Sequence, residues 1–176
     1  MKLPTEKLTL VVVVSATAAA GRVLFSFLPQ IQPVTALVIL TGVSLGPFCG
    51  VCTGVLSAFV SNLILGQGPW TLFQMLAWGL IGWIAGFMGK SRFLSSMPVV
   101  CFYSFAAGIL FSIITDFSSL LYNIGSLSPG AFGALLLTGI LFNITHCIGN
   151  VIFIVLLYHN FLKKLTRIRD KYGFLC

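Results

Sequence analysis

Six apolar runs, each cut off by proline, glycine or charge, leave this chain only one solvent that suits it. A helix crosses a bilayer with about 20 mostly apolar residues, because hydrocarbon offers no partner to a backbone N–H or C=O. The runs fall at about 8–28, 33–45, 47–65, 71–89, 98–122 and 134–162. Pro29, Pro33, Gly46-Pro47 and Gly66-Gln67-Gly68-Pro69 punctuate the first half. The run 33–45 is short for a span, and 134–162 is longer than hydrocarbon requires, so it tilts, breaks or projects beyond the bilayer. No alternating strand pattern appears. The expected fold is therefore all-α, a bundle of six transmembrane helices forming one domain over residues 1–176.

Charge is scarce enough to orient such a bundle. Only 7% of residues are charged, against 58% hydrophobic, and the net charge of +7 comes from short basic clusters between the runs. Lys2 and Lys7 precede the first run, Lys90 and Arg92 follow the fourth, and Lys163, Lys164, Arg167, Arg169 and Lys171 follow the sixth. Six crossings place all nine on one side, which the positive-inside rule makes cytoplasmic together with both termini. Basic residues spread in this way fit a membrane topology and not a nucleic-acid surface. The opposite loops, at 29–33, 66–70 and 123–133, contain no Lys, Arg, Asp or Glu. Amides and aromatics stand at or beside them: Gln30, Gln32, Gln67, Trp70, Tyr122 and Asn123. The start of the chain imitates a signal peptide, with Lys2, Lys7 and the small residues Ser15 to Ala20. Its apolar run continues to Leu28, however, which is long enough to span.

Motifs for catalysis are missing. The five cysteines, Cys49, Cys52, Cys101, Cys147 and Cys176, are odd in number, and Cys49-Gly50-Val51-Cys52 lies within an apolar run without a second pair. Gly89-Lys90-Ser91 imitates the end of a phosphate-binding loop, but Ile84 stands where that loop needs glycine, so the chain has no ATP site of its own. Asp116 is the only acid within the runs, and no nucleophile elbow or paired carboxylates accompany it. His146 has no second histidine or carboxylate at ligand spacing, His159 lies near the inner surface, and no metal is expected.

Small and polar residues carry the remaining signal. Ala16 and Ala20 form an AxxxA surface, Gly46, Gly50 and Gly54 repeat every fourth residue, and Gly79, Gly82, Gly86 and Gly89 line the fourth run. In lipid such stripes let helix backbones approach closely, within the chain or toward another. Arg22 and Asp116 lie at similar depth in the outer part of their helices, where an unpaired charge is costly. Two arrangements meet that cost: an ion pair between them, or a polar cavity that both face. Asn62, Gln74, Asn143, His146 and Asn150 form a further polar set, and the last three share one helix face pointing into the bundle.

The runs Gln32-Pro33-Val34-Thr35-Ala36-Leu37 and Leu45-Gly46-Pro47, the block Gly66-Gln67-Gly68-Pro69-Trp70-Thr71 leading to Gln74-Met75-Leu76-Ala77-Trp78-Gly79, and His146-Cys147-Ile148-Gly149-Asn150 together resemble substrate-binding S components of energy-coupling factor (ECF) transporters. The likeness covers the whole chain and is most like the cobalamin-assigned, CbrT-type subgroup. It implies a non-catalytic subunit of an ECF-type ABC vitamin uptake transporter in a bacterial cell membrane. Such a subunit binds its vitamin from outside and topples to release it inward. It also implies a coupling subunit of the EcfT type, reached through Ala16 and Ala20, although Leu24 stands where a third alanine would continue that motif. Two cytoplasmic ATPases of the EcfA type would hold the only ATP, and no cofactor is bound covalently; the ligand would be cobalamin. The expected pocket residues are Gln32, Trp70, Gln74, Asp116, Tyr122, His146 and Asn150, with Arg22 and Asn62 beside them. The competing expectations are an S component for another vitamin or small molecule, a membrane scaffold whose stripes bind other helices, and an intramembrane enzyme using His146 and Asp116.

Overall fold

The fold is given by a computed structural model that describes residues 5–91, 94, 96–123 and 128–172. Lys2, Arg92, Cys176 and residues 124–127 of the last outer loop lie outside the described residues. Among the described residues, six α-helices follow one another: α1 (Thr5–Leu24), α2 (Val34–Leu45), α3 (Pro47–Leu65), α4 (Trp70–Lys90), α5 (Met97–Asn123) and α6 (Pro129–Tyr172). There are no strands among the described residues. Five helices are long and apolar enough to cross a membrane, while α2, at 12 residues, is the short one.

The ends of two helices differ from the boundaries read in the sequence, each for a local reason. α1 stops at Leu24 instead of Leu28, because residues 25–28 tighten into i→i−3 turns (Ser26 N–H to Val23, Leu28 N–H to Phe25) ahead of Pro29, which has no N–H to donate. α6 begins at Pro129 instead of about 134, since the fixed φ of proline suits a first helical position. It also continues through the basic stretch to Tyr172, and 44 residues at ~1.5 Å each give about 66 Å. That is about twice the hydrocarbon thickness, so α6 projects beyond it.

α2 sits at the centre. Val34 through Gly42 are all buried, a helix apolar on every face and therefore enclosed on every face. Its enclosure depends on glycine. A Cβ on Gly42 or Gly50 would collide with the backbone carbonyl of Gly82, one on Gly54 with the backbone of Trp78, one on Gly86 with Pro47, and one on Gly89 with Val43. α2, α3 and α4 thus meet backbone to backbone along one seam. Two glycines of the sequence stripes contribute only backbone to it, Gly46 against Gly86 and Gly79 against Gly54, and their own Cβ positions are uncrowded. A Cβ on Gly46 would meet nothing within 4 Å; this residue instead, at φ +100°, makes the break between α2 and α3. Gly79 faces only Val55 and Val51 at 3.5 and 3.8 Å.

Antiparallel contacts fix the two ends of the bundle. Gly86 against Pro47, Gly89 against Val43, and the small cluster of Val11, Leu45 and Cys49 with Leu165 gather Lys7, Lys90 and Lys163 at one end. At the other end lie Gly21 against Pro33, Phe73 against Tyr122 and Asp116 against Asn143, which bring the 25–33 and 66–69 connections to the same end as the last turns of α5 and the first part of α6.

Candidate functional site

The Gly66 to Thr71 block ends one helix and starts the next within four residues, and in doing so builds one wall of a site. Gly66, at φ +110°, closes α3 with its N–H on the Asn62 carbonyl (2.9 Å). Gly68 leaves room for the Trp70 indole, into which a Cβ there would run. Thr71 turns its N–H back to Gly68 (2.9 Å), and its hydroxyl oxygen accepts from Asn62 Nδ2 (2.9 Å).

Asn62 is the hub of the network that results. Its Nδ2 also donates to Gln74 Oε1 at 2.8 Å, while its Oδ1 accepts from Arg22 Nη1 at 2.6 Å. The same Nη1 donates to Ser61 Oγ at 2.6 Å, and Nη2 donates to Gln74 Oε1 at 3.2 Å. The Arg22 guanidinium lies 5.2 Å from the centroid of the buried Trp78 ring, on its face. α1, α3 and α4 are thus clamped together by one cation and three neutral side chains. Asp116 stands apart, accepting from Asn143 Nδ2 at 2.7 Å. The two membrane charges therefore do not pair; both face cavities.

Two adjoining cavities open at this end. One, of about 240 Å³, lies under the 25–32 connection between Arg22, Gln32, Gln74 and Phe111. The other, of about 500 Å³, lies between Trp70 and the facing parts of α5 and α6, with Asp116, Ser119 and Asn143 in its wall. Gln30, Gln74 and Thr115 line both.

Beneath them runs a buried chain of hydrogen bonds. Trp78 Nε1 donates to Thr35 Oγ1 (3.0 Å), Thr35 Oγ1 lies 3.4 Å from His146 Nε2, and His146 Nδ1 lies 3.1 Å from the Gln30 carbonyl. A carbonyl only accepts, so the proton sits on Nδ1, and Thr35 gives its own hydrogen to Nε2. The His146 ring also packs on Phe111 (4.8 Å), which packs on Trp78 (4.6 Å). Gln30 is the one non-glycine residue with positive φ among the described residues, at 60°, and this chain holds its carbonyl in place. Thr35→Val leaves the Trp78 N–H and His146 Nε2 without partners, at about 1–3 kcal/mol for each buried group. Thermal unfolding in detergent should show a clearly lower Tm for Thr35→Val and a near-native one for Thr35→Ser.

Of the expected pocket residues, Gln32, Trp70, Gln74, Asp116 and Arg22 line the cavities, and Asn62 holds two of them from behind. His146 lies one layer below, acting through the Gln30 backbone. Asn150 lies deeper, fully buried beside Gly108. Tyr122 stacks edge-on against Phe73 at 6.2 Å and is not among the lining residues. Thr115, Phe111 and Ser61 join the site without any mark in the sequence, since an isolated threonine, phenylalanine or serine in an apolar run carries no signal of its own. Gln30 is visible there only as one amide of a loop.

The fold and this site define a helical, multi-pass membrane protein built around a polar cavity at one end of the bundle. Residues 6–168 match the model of the family described as ECF transporter, substrate-specific component, and the chain belongs to that family. The family places the chain as the substrate-binding subunit of a transporter that also has membrane and ATPase components. Comparison with curated proteins and with solved structures returns no match.

Proposed function

We propose that this subunit captures a vitamin from outside a bacterial cell, with a corrinoid of the cobalamin type as its substrate, and releases it inward by toppling. In this reading the chain crosses the membrane six times with both termini in the cytoplasm, which puts the cavity end outside. Ala16 and Ala20 meet an EcfT-type coupling subunit, and two EcfA-type ATPases supply the energy. One observation carries the proposal: two cavities share Gln30, Gln74 and Thr115 beneath connections that bear amides and aromatics but no formal charge. Aromatic faces supply apolar contact, and the amides supply orientation, for a ligand that itself bears amides.

Size favours a second reading within the same class. Ligand pockets commonly hold about 300–1,000 Å³. The larger cavity, at about 500 Å³, suits a smaller vitamin on its own. A corrinoid would have to fill both cavities and protrude between the connections. Equilibrium binding to detergent-purified protein across cobalamin, cobinamide, pantothenate, folate and pyridoxine separates these readings. Saturable binding of cobalamin supports the corrinoid, and binding of one of the others supports the smaller ligand. A panel without saturable binding would place the substrate outside these five compounds and count against both readings.

A further inference from the structure

Arg22 does more than its clamp requires. A guanidinium offers five N–H donors, and three bonds go to Ser61, Asn62 and Gln74. All three acceptors are neutral, and the nearest candidate counter-charge within the bundle, Asp116, is engaged with Asn143 instead. The chain therefore carries a cation in the outer half of a membrane helix with no anion of its own beside it, an arrangement that is costly in a low-dielectric setting. Arg22 nevertheless lines the smaller cavity, next to Gln32 and Gln74. Its longest bond, 3.2 Å to Gln74, is to the partner that lines both cavities; the two shorter ones, at 2.6 Å, anchor it to α3.

We infer that the substrate carries an oxyanion, a carboxylate or phosphate, that binds Arg22 in the smaller cavity and completes its charge balance. This rests on the reading of the chain as a substrate-binding subunit and adds the chemical class of one end of its ligand. The planar fork of Arg22 matches two oxygens of such a group, and Ser61 and Asn62 hold the fork in position before the ligand arrives. Asp116 and Asn143, in the wall of the larger cavity, set the other end: an acceptor there favours a donor-bearing or cationic part of the ligand. The site is bipolar, and a ligand with its oxyanion blocked loses its orientation as well as one contact.

The test uses pairs of ligands that differ in the anionic group, measured by equilibrium binding to the full chain in detergent: cobinamide phosphate with cobinamide, pantothenate with panthenol, and pyridoxal phosphate with pyridoxal. In the pair that binds, the anionic member should bind at least about tenfold tighter, the effect of a charge-assisted bond. In Arg22→Gln that ratio should fall to about two or three, and Arg22→Lys should retain part of it. A purely structural Arg22 would instead weaken both members of the pair equally and lower the Tm. Equal affinities in the native protein, or a ratio that persists in Arg22→Gln, would overturn the inference while leaving the transport role intact. Should Arg22→Gln fail to fold, the native ratio and the Lys variant still decide. If no member of any pair binds, the proposed vitamin substrate fails and takes this inference with it.

Discussion

Gly82→Ala is expected to cost at least about 3 kcal/mol, the upper end of overpacking penalties, although it adds a single methyl group. The methyl would land on the backbone of Gly50, and neither carbonyl nor Cα can rotate away as a side-chain tip could. In a chain of this size such a loss lowers the Tm by roughly 6–12 °C. Gly50→Ala should behave alike, because the contact is reciprocal. The control lies on the same stripe. Gly79→Ala places its methyl 3.5 Å from Val55 and 3.8 Å from Val51, ordinary contact distances, so its Tm should stay within a degree or two of the native value. Size-exclusion profiles and thermal unfolding in one detergent would check both. Equal tolerance at Gly82 and Gly79 would show that the α3–α4 seam is not as close as described.

The second large effect is on transport. Ala16→Trp combined with Ala20→Trp should reduce uptake more than tenfold while leaving ligand binding to the isolated subunit unchanged. Both alanines are exposed on α1, whereas Ser15, Ala18 and Ala19 are buried against the rest of the chain. Bulk at 16 and 20 therefore points away from the core of this subunit, and under the proposed coupling a loss of uptake comes from a partner helix that needs a close approach. Ala18→Trp with Ala19→Trp gives the opposite pattern, since the same bulk inside the bundle should abolish folding before transport can be assayed. Normal uptake by the Ala16→Trp/Ala20→Trp protein would remove that face from the coupling interface.

The helices are legible because apolar length is written in composition, and the Pro/Gly breaks mark where each run stops. The central place of α2 is not. A segment apolar at every position has no periodicity, so its shortness can be read but its enclosure cannot. The same limit applies to the glycines. Spacing puts Gly79 on a stripe with Gly82 and Gly86, yet only the position of the neighbouring backbone decides which of them is needed.

The site is legible as a set of residue types and illegible as a wiring diagram. Arg22 and Asp116 sit at similar depth with opposite charge, which makes an ion pair a natural expectation. Depth does not fix direction around the helix, however, and α1 turns Arg22 toward α3 and α4. The amides Asn62 and Gln74, separate in the sequence, become one network through that turn. His146 stands out for its chemistry, but it serves as a brace for the Gln30 carbonyl, a main-chain atom that no residue-type pattern reveals.

A ligand seated in the paired cavities touches Thr115 from either side, because this residue lines both. Thr115→Phe fills their shared wall with a ring, and Thr115 itself takes part in neither the hydrogen bonds of the Arg22 clamp nor the glycine seam. Affinity for the ligand found to bind the native subunit should fall more than tenfold at near-native Tm. Unchanged affinity in a well-folded Thr115→Phe protein would place the ligand elsewhere in the bundle.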